Sequence, residues 1–436
     1  MKDVIAIVDI GKTNKKLFLF DKDFEVVSLK EVQFEEIKDE DGFPCDDIEA
    51  ITDWIKDEID RINEFGYYRI KAINFSTHGA SVLYLDKDGN RLTPLYNYLK
   101  PLDIKTFEDL YDAFGGKEEF SRRTASPAYG MLNAGLQILN LKRTQPDVWK
   151  KVNSIVHYPQ YLSYLFSKNV TADFTSIGAH TALWDFDKMQ YHDWLMEENI
   201  KLPKPVKGDE VTYTEINGTK VAVGSGLHDS SSSIVPVLKE ESCKNYVLLS
   251  TGTWIIAMNP FSQEKLSKHQ LNNNCLCFMT PEKQQIKSSM QFLGRIHEVY
   301  VEALKEHFKV SKNRFLSIYW DDKKCNEIIA ADNEIYLKEG QFEDYIAKKE
   351  LLKYFCNYET AYYQLVYEIS KKVVQGIDLI LDKNQEINDI FVSGGFINNE
   401  VFIKYISLLK QRIRIKLSNT KNESAYGAAL MIKDYL

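Results

Sequence analysis

Residues 4–20 read VIAIVDIGKTNKKLFLF, which is an apolar run, a polar turn around Gly11 and a second apolar run. Residues 246–258 repeat this pattern as YVLLSTGTWIIAM, with Gly252 in the turn. Two apolar runs joined by a tight Gly-containing turn predict a β-hairpin. The Gly lets backbone N–H groups approach an anion, and nearby hydroxyl and ammonium groups can hold phosphate oxygens. Because one such hairpin opens each half of the chain, we expect a duplicated fold that clamps a nucleotide between its halves.

The bulk composition indicates a globular protein of two domains. At 436 residues the chain is too long for one ordinary hydrophobic core. The net charge of −8 provides no basic surface, so we expect neither nucleic acid nor an anionic membrane as a partner. No apolar stretch approaches the length of a membrane span, and the N-terminus has no signal-peptide pattern. The sequence therefore predicts a cytoplasmic protein.

The cysteines follow no pattern typical of a metal site. None belongs to a C-x-x-C motif or to a Cys/His ligand spacing. Cys275 and Cys277 are two residues apart in a predicted strand, where both would point to one face. We interpret them as half-buried strand residues, with metal binding as a remote alternative. The six cysteines are Cys45, Cys243, Cys275, Cys277, Cys325 and Cys356.

The first half of the chain has the order of elements of an α/β domain. Residues 4–35 predict three strands, and the apolar spacing over 48–65 predicts a helix. Two further strands are predicted at 70–76 and 82–85. Strands alternating with helices favour helices packed on a mixed sheet. Residues 104–200 are predicted to be largely helical and to form an insertion that walls a substrate pocket.

The second half repeats the same scheme. Its hairpin is followed by predicted helices and strands at 358–382 (helix), 389–392 (strand), 398–410 (helix), 413–417 (strand) and 423–430 (helix). We place the domains at 1–222 and 223–436. No linker rich in Pro, Gly or Ser separates them, which favours closely apposed domains with a hinge near 222–236.

A Gly/Ser-rich loop at 224–233 contains one acidic residue, Asp229. Asp229 stands where the loop would enter a helix, and taken alone this position favours an N-cap carboxylate. The functional interpretation is a general base at the mouth of the interdomain cleft. The neighbouring Gly residues indicate a backbone that a ligand approaches closely or that acts as a hinge. This makes the general-base interpretation of Asp229 more competitive with the cap interpretation.

Two more polar turns follow predicted strands. Ser393-Gly394-Gly395 joins a buried strand to a helix, where the backbone can lie against a purine or an α-phosphate. A simple glycine turn is the alternative. Residues 76–81 place His78 at a carboxyl strand end, which is where α/β proteins bind ligands. A single His at such a position is more often a surface or core histidine with satisfied hydrogen bonds than a residue that binds a ligand.

The order and spacing of these motifs resemble the FGGY carbohydrate kinases of the actin-like ATPase superfamily. The resemblance covers essentially the whole chain. The loop Gly-Leu-His-Asp-Ser-Ser-Ser-Ser and the hairpin Ser-Thr-Gly-Thr-Trp look most like the rhamnulokinase branch. The resemblance implies an α/β fold of two actin-like (ribonuclease H-like) ATPase domains with a nucleotide and sugar cleft between them.

The resemblance also implies a role for each motif residue. Asp229 would be the catalytic base that takes a proton from the attacking sugar hydroxyl. His78, Gly79 and His228 would touch the sugar. Asp9 would hold Mg²⁺ through water. The ATP-binding residues would be Lys12, Thr13, Asn14, Lys15 and Lys16 along the phosphates, Gly252 and Thr253 at the β- and γ-phosphates, and Gly394 and Gly395 against the adenosine.

Three positions depart from the family pattern. Residues 96–100 (YNYLK) replace an Asp-x-Arg sugar contact, and His78 stands where relatives often have Gln or Trp. Ser288-Ser289 replaces an Asn that relatives place near the nucleotide. We expect ATP and Mg²⁺ as cofactors and a ketose or deoxyketose (like rhamnulose, fuculose or xylulose) as substrate. A homodimer is compatible with this interpretation.

Other functions of the same superfamily fit the sequence less well than a kinase. An actin-like ATPase switch would be expected to carry a polymer interface or a peptide-binding domain, and the sequence shows neither. A catalytically inactive sugar sensor is disfavoured by the presence of Asp9, Gly11, Asp229 and Thr253. Activators of acyl-CoA dehydratases need paired cysteines for an iron–sulfur cluster, and the chain has no such pair.

Overall fold

The structure is a computed structural model that describes residues 1–239, 245–337, 346–418 and 420–436. It contains two lobes, each built on one large mixed sheet. The strands of the first lobe are β1 (Lys2–Ile10), β2 (Lys15–Phe20), β3 (Val26–Val32), β4 (Ile37–Lys38), β5 (Pro44–Cys45), β6 (Tyr68–Thr77), β7 (Val82–Leu85), β8 (Ser154–His157), β9 (Ala172–Asp173), β10 (Trp184–Asp185), β11 (Gln190–Tyr191), β12 (Pro205–Val206), β13 (Val211–Ile216), β14 (Thr219–Gly224) and β15 (Leu227–His228).

The helices of this part of the chain are α1 (Ile48–Phe65), α2 (Glu108–Ala113), α3 (Gly116–Thr124), α4 (Ala134–Thr144), α5 (Pro146–Trp149), α6 (Tyr158–Ser167), α7 (Phe174–Ile177), α8 (Trp194–Glu197), α9 (Asp229–Ser233) and α10 (Val235–Leu238). The second lobe contains β16 (Tyr246–Thr251), β17 (Ile255–Asn259), α11 (Lys268–Asn272), β18 (Cys275–Met279), β19 (Gln285–Gln291), α12 (Leu293–Phe308), α13 (Asp322–Ala331), α14 (Tyr358–Ile380), β20 (Asp389–Gly394), α15 (Glu400–Leu409), β21 (Arg414–Leu417) and α16 (Glu423–Met431). Short 3-10 helices lie at Ile104–Phe107, Gly130–Leu132, Arg314–Ser317, Lys349–Tyr354, Gly395–Asn398 and Lys433–Tyr435.

The two large sheets confirm the predicted duplication. In the first, the strand order β3-β2-β1-β6-β14 has two antiparallel pairings followed by two parallel ones. In the second, the order β19-β17-β16-β20-β21 has the same directions. Each predicted hairpin therefore occupies the same place in its own sheet. The parallel strand beside each hairpin brings a second loop to the same sheet edge.

The first hairpin is buried on both faces of its sheet. Along β1, Val4 and Val8 pack into one hydrophobic cluster, whereas Ile5 and Ile7 pack into another on the opposite face. This alternation follows from the two-residue period of a strand. Because helices cover both faces, the sequence of β1 is continuously apolar and does not alternate with polar residues.

The helix predicted over residues 48–65 is α1, with the predicted bounds. The Asp47 carboxylate accepts a hydrogen bond from Ala50 N at 3.0 Å and so caps its first turn. Gly66 ends it in the left-handed region at φ 67°, which glycine adopts without a Cβ clash. Ile51, Ile55 and other apolar residues at helical spacing face the core.

The predicted domain boundary at 222/223 is wrong because it falls inside β14. Ala222 and Val223 pair with Ala72 and Ile73 in the ladder between β14 and β6. The next strand, β15, also pairs with β6, through Leu227 and His228. The first sheet therefore extends beyond the boundary, and the chain leaves it after β15.

The last helix, α16, belongs to the second half of the sequence but packs against the first sheet. Ala425 and Ala428 lie in one hydrophobic cluster with Ile5 and Phe18. The side chain of Asn74 in β6 donates to the carbonyl oxygen of Ala428 at 3.0 Å. The C-terminal helix therefore joins the two lobes beneath the cleft, where it also contacts α9.

The insertion at 104–200 is not purely helical. It contains the short strands β8 to β11, and β8 pairs antiparallel with β7 outside the insertion. Its apolar Ile155-Val156 pair lies inside β8 and explains this strand. The insertion also contacts the second lobe, because Arg122 donates to Leu266 O at 2.9 Å and Asp187 faces Lys265 at 3.5 Å.

Cys275 and Cys277 both lie in the predicted strand, β18, but they are fully buried and not half-buried. Strand β18 is covered on this face by the core of the second lobe. Cys243 lies outside the described residues. None of the helices in the described ranges contains an apolar stretch of the length that a membrane span requires.

Candidate active site

A cavity of about 310 Å³ opens in the second lobe beside the hairpin turn at Gly252. Thr253 and Gly395 also border it, so the structure brings together the second hairpin and the glycine turn that follows β20. The remaining wall comes from α12 and from the segments around 315 and 398. The residues lining the cavity are Thr251, Gly252, Thr253, Gly294, His297, Glu298, Phe315, Leu316, Ile318, Gly395, Phe396, Asn398 and Asn399.

Two glycines allow this part of the backbone to pack closely. Gly394 has φ +87°, and a Cβ there would collide with the carbonyl oxygen of Thr251. A Cβ on Gly294, at the start of α12, would collide with the carbonyl oxygen of Gly252. The backbone of Gly394 therefore packs directly against Thr251 at the end of β16, whereas Gly395 borders the cavity.

Several side chains that line the cavity are not among the site residues predicted from the sequence. Buried His297 lies between the rings of Phe315 and Phe396, and burial lowers its pKa to about 4, so the imidazole is neutral at pH 7. Its Nε2 is 3.1 Å from the hydroxyl of Tyr362, which also accepts a hydrogen bond from Asn399 Nδ2 at 2.9 Å. Asn399 was detectable as the N-cap of the helix after the glycine turn.

Ser288-Ser289, which the sequence places near the nucleotide, does not line the cavity. Both residues are buried inside β19, paired with β18 and β17, and neither borders the cavity. Asn398 and Asn399 border it instead. The part of this region that does line the cavity is Gly294 and His297, which lie just downstream on α12.

In the first hairpin turn, some side chains are exposed to a possible ligand, and others already have partners within the protein. Gly11 N donates to Asn14 O at 3.0 Å, which closes the turn and leaves Thr13 exposed at its tip. Lys12 Nζ lies 2.7 Å from Glu36 Oε1, and Lys16 is half-buried opposite Asp9 in the ladder. The side chain of Asn14 accepts a hydrogen bond from Gln33 Nε2 at 2.6 Å.

Lys15 points away from the tip of this turn. It is 1% exposed, and its ammonium donates to Lys12 O at 2.9 Å and lies 3.4 Å from Asp46 Oδ1. The alternation of β2 places Lys15 on the opposite face from Lys16. Lys16 is therefore better placed than Lys15 to reach a phosphate from this strand.

Asp9 lies at the end of β1, where the two lobes meet. Its Oδ1 accepts a hydrogen bond from Ser424 Oγ at 2.8 Å, and the Ser424 hydroxyl also contacts Ser76. Burial raises the pKa of Asp9, the negative charge of Asp229 adds to this shift, and the serine hydrogen bonds oppose it. Ser424 comes from α16, so the C-terminal helix helps to fix the carboxylate.

The surroundings of Asp9 fit a magnesium ion. Mg²⁺ prefers oxygen ligands and is usually held by one or two carboxylates together with phosphates and water. Burial is the main cause of the raised pKa of Asp9 and the charge of Asp229 adds to it, so a cation held by these carboxylates would relieve their repulsion. In the described part of the chain, no three His, Cys, Asp or Glu side chains cluster as a metal cage.

Asp229 is the first residue of α9 and not its N-cap, which is His228. The cap interpretation is therefore wrong: α9 has no side-chain cap hydrogen bond. Asp229 Oδ1 instead accepts from Ser230 N at 2.6 Å and lies 3.4 Å from His228 Nε2. The side chain is about one-third exposed, so part of the carboxylate is accessible to a ligand.

A buried network supports the turn that carries Asp229. The backbone N of His228 donates to Thr175 Oγ1 at 2.9 Å. Thr175 in turn donates its hydroxyl and backbone N–H to Asp173, whose pKa burial raises. Gln160 Nε2 also donates to Asp173 at 3.1 Å, and to the carbonyl oxygens of the Gly/Ser loop. Residues of the insertion thus position the turn that carries Asp229.

His78, Gly79 and His228 lie together beside Asp229. A Cβ on Gly79 would lie 2.8 Å from two ring atoms of His228, so only glycine leaves room for this ring. Burial lowers the pKa of His228, although the charge of Asp229 opposes the shift. His78 contacts the rings of Tyr98 and Tyr158 at centroid distances of 5.6 and 5.5 Å.

Asp46, which no sequence motif singled out, lies beneath His78. Its Oδ2 is 3.6 Å from His78 Nε2, and its side chain is 8% exposed. Burial acts to raise the pKa of Asp46, but His78, Lys15 and Lys12 outweigh it and lower the pKa. Asp46 directly precedes Asp47, the N-cap of α1, so in the sequence it resembles part of an ordinary helix start.

Comparison with known proteins gives the family of the chain. Residues 4–236 match the model for the FGGY family of carbohydrate kinases, N-terminal domain. Residues 244–435 match the model for the carbohydrate kinase FGGY, C-terminal domain. The first match ends after β15 and α9, in agreement with the corrected lobe boundary.

Individual relatives are more distant. The chain is 25% identical over 258 residues to a rhamnulokinase of Halalkalibacterium halodurans, covering 57% of this chain and 54% of the relative. It is 24% identical over 268 residues to a xylulose kinase of Lactococcus lactis, covering 56% and 51%. The chain thus spans about half the length of the curated relatives it matches.

Solved structures show the same fold over nearly the whole chain. A carbohydrate kinase from Novosphingobium aromaticivorans superposes with a TM-score of 0.80 at 20% identity, covering 100% of this chain and 92% of that one. A glycerol kinase from Plasmodium falciparum with ADP gives 0.71 at 14% identity, covering 99% and 89%. Together with the two family models, which account for both lobes, this shows that the chain belongs to the FGGY family of carbohydrate kinases.

Proposed function

We propose that this protein is an ATP-dependent kinase that transfers the γ-phosphoryl group of ATP to a hydroxyl group of a ketose or deoxyketose. The observation that carries the proposal is the position of Asp229. Its carboxylate stands at the cleft beside the histidines of the first lobe, and it is close enough to Asp9 to raise the pKa of that residue. The nucleotide cavity lies in the facing lobe.

Asp229 is suited to act as the general base. Oδ1 is held by Ser230, whereas Oδ2 accepts no hydrogen bond from the described residues. Oδ2 can therefore take the proton of an attacking sugar hydroxyl as the new O–P bond forms. A single carboxylate suffices because phosphoryl transfer depends mainly on positioning and charge neutralisation.

The phosphate groups would lie between the two hairpin turns. The N–H groups of Gly11 and Gly252 close their own turns by donating to Asn14 O and Trp254 O. Thr13 and Thr253 are exposed at these turns, so their hydroxyls can donate to phosphate oxygens. Lys16 adds a positive charge from the first strand pair. Mg²⁺ held near Asp9 would neutralise charge on the phosphates.

The sugar class is supported by the relatives and by the first lobe. Rhamnulokinases and a xylulose kinase are among the relatives, and these names refer to ketose substrates. His78, His228 and Tyr98 surround the space next to Asp229 and can hydrogen-bond hydroxyl groups. The homodimer and the cytoplasmic location stay predictions.

A coupled assay of ADP release over a panel of ketoses, deoxyketoses and polyols tests the proposal. We expect release that depends on one sugar class and that falls by ~10²–10⁴ in kcat for Asp229→Asn, the usual contribution of a positioned base. An unchanged melting temperature in Asp229→Asn excludes unfolding as the cause. ATP hydrolysis that no sugar stimulates would favour an ATPase switch, and sugar binding without ADP release would favour a sensor.

A further inference from the structure

One ring nitrogen of His297 is open to the cavity of the second lobe. His297 borders this cavity of about 310 Å³ and is only 7% exposed. Its Nε2 contacts the hydroxyl of Tyr362, but its Nδ1 has no hydrogen-bond partner among the described residues. The unpaired ring nitrogens that are sealed inside the described part of the protein belong to His78, His180, His192 and His228. Nδ1 of His297 is not one of these sealed atoms, so a ligand in the cavity can reach it.

A chain of hydrogen bonds fixes the tautomer of His297. The amide of Asn399 is oriented by its role as a helix cap, because Oδ1 accepts from Phe402 N at 3.1 Å. Nδ2 then donates to the Tyr362 hydroxyl oxygen at 2.9 Å, which leaves the hydroxyl hydrogen for Nε2 of His297 at 3.1 Å. Burial lowers the pKa of His297 to about 4, so at pH 7 the neutral ring carries its hydrogen on Nδ1. The imidazole therefore presents a fixed N–H donor to the cavity.

The other described side chains that line the cavity provide no buried acceptor for an amino group. The Thr251 hydroxyl is engaged with backbone groups of the glycine turn after β20. Both ends of the Asn399 amide are used within the protein. Thr253, Glu298 and Asn398 are exposed and so are not held in one orientation by burial. The buried side-chain group left to meet a ligand is therefore the imidazole N–H.

The surroundings of the imidazole favour contact with a nucleobase over contact with phosphate. The His297 ring packs against the rings of Phe315 and Phe396, at centroid distances of 5.4 and 4.9 Å. Both phenylalanines also line the cavity. An apolar aromatic wall suits a flat base, whereas phosphate groups need the polar turn around Gly252.

We infer that the imidazole N–H of His297 donates a hydrogen bond to N3 or N7 of a purine base, which adenine, hypoxanthine and guanine share, and that the site does not read the group at position 6. Strong rejection of an analogue arises when a buried polar group is left unpaired, and the side chains here offer no such group to the 6-amino group. Tyr362 and Asn399 are positioning residues that hold the donor tautomer.

The consequence is a broader choice of phosphoryl donor. This inference rests on the proposed kinase function and extends its donor from ATP to purine nucleoside triphosphates, with ITP and GTP as examples. The transfer itself is unchanged. The bond between the γ-phosphorus and the β-phosphate oxygen breaks, the bond to the sugar oxygen forms, and the hydroxyl proton goes to Asp229. ITP then leaves as IDP and GTP as GDP.

A series of nucleotides tests the wild-type enzyme. At saturating sugar, kcat/KM is measured for ATP, ITP, GTP, 3-deaza-ATP and 7-deaza-ATP. We expect ITP and GTP to stay within about tenfold of ATP, and one of the two deaza analogues to lose about 10- to 100-fold, because the buried N–H then lacks its acceptor. A larger preference for ATP over ITP, or no loss with either deaza analogue, would overturn the inference. A loss with 2′-deoxy-ATP in place of a deaza analogue would assign Nδ1 to the ribose and would also overturn it.

His297→Phe keeps an aromatic ring but removes the donor. KM for ATP should rise by about 10- to 100-fold while kcat stays nearly unchanged, because the base binds equally in the ground state and the transition state. The deaza analogue that the wild type rejects should now match ATP. Tyr362→Phe should cause a smaller rise in KM for ATP and none for that analogue, because it only releases the tautomer. Discrimination against the analogue that persists in His297→Phe would contradict the inference.

His192→Phe provides the matched control. His192 is also buried, its pKa is also lowered to about 4, and its ring lies between those of Phe114 and Phe120. It does not border the cavity, so KM for each nucleotide should stay within about twofold.

Calorimetric titration of the wild type with ATP, ITP and GTP in the absence of sugar separates the two proposals. An enzyme that binds all three nucleotides but phosphorylates no sugar would refute the proposed kinase function and support the inference about the base. Binding of ATP without binding of ITP would overturn the inference and leave the kinase function intact.

Discussion

The imidazole of His228 occupies the space that a side chain on Gly79 would need. A Cβ on Gly79 would lie 2.8 Å from both Cδ2 and Nε2 of this ring, closer than real Cβ contacts. The same Nε2 lies 3.4 Å from Asp229 Oδ1. The glycine after His78 is therefore linked sterically to the carboxylate proposed as the general base.

Gly79→Ala tests this relationship. The added methyl group should push the His228 ring from its place and disturb Asp229, lowering kcat/KM for the sugar by about 10- to 100-fold, since a misplacement of 1 Å can cost about 10²-fold. KM for ATP should change little. His228→Ala provides the control: if the clash is the cause, adding Gly79→Ala to His228→Ala should cost little more. Fully additive losses would contradict the steric explanation.

Gly294→Ala tests the nucleotide side. A Cβ at the start of α12 would collide with the carbonyl oxygen of Gly252, so the hairpin turn beside the cavity must move. We expect KM for ATP to rise by about tenfold or more, because the proposed phosphate site includes this turn. Sugar binding measured by calorimetry without nucleotide should be retained. Equal weakening of both ligands would indicate a general loss of structure.

The buried histidines predict loss of stability in mild acid. Burial lowers the pKa of His157, His180 and His297 to about 4 each, below the value of about 6.5 in an unfolded chain. Between pH 6.5 and 4 the unfolded chain therefore binds more protons, and the free energy of unfolding falls as the pH falls. Each histidine contributes a slope of up to about 1.4 kcal/mol per pH unit.

Urea unfolding at pH 7, 6 and 5 measures this slope. His157→Gln removes one titrating group. The free energy of unfolding should therefore fall less steeply between pH 6.5 and 5 than in the wild type, by a slope that corresponds to the uptake of up to one proton. The comparison uses the difference between the two proteins, which cancels the contribution of other groups. Parallel curves would show that His157 does not titrate on unfolding in this window.

Ligand-driven closure is expected because the cleft draws on both lobes. Phe278 of the second lobe contacts the rings of His228 and His180 of the first, at centroid distances of 6.4 and 5.7 Å. Closure would exclude water from the phosphoryl group. Small-angle scattering should show a smaller radius of gyration with sugar plus a non-hydrolysable ATP analogue than with either ligand alone. An unchanged profile would count against a clamp.

Local sequence patterns were enough to predict much of the fold. Both hairpins, α1 and the glycine turn after β20 were confirmed, because strand and helix periods and the special conformations of glycine act over a few residues. The same patterns indicated a duplicated fold. The helical insertion was only partly predicted, because its short strands form by pairing with distant ones such as β7.

The sequence by itself determined the two glycine-containing hairpins and the Gly/Ser loop that carries Asp229, since each is encoded in neighbouring residues. Only the tertiary structure decided what surrounds them. Ser424 reaches Asp9 across 415 positions of sequence, and Asp46 comes beneath His78 from a loop that resembles an ordinary helix start. These contacts depend on how α16 and the loop before α1 pack against the first sheet, and no local propensity records such packing.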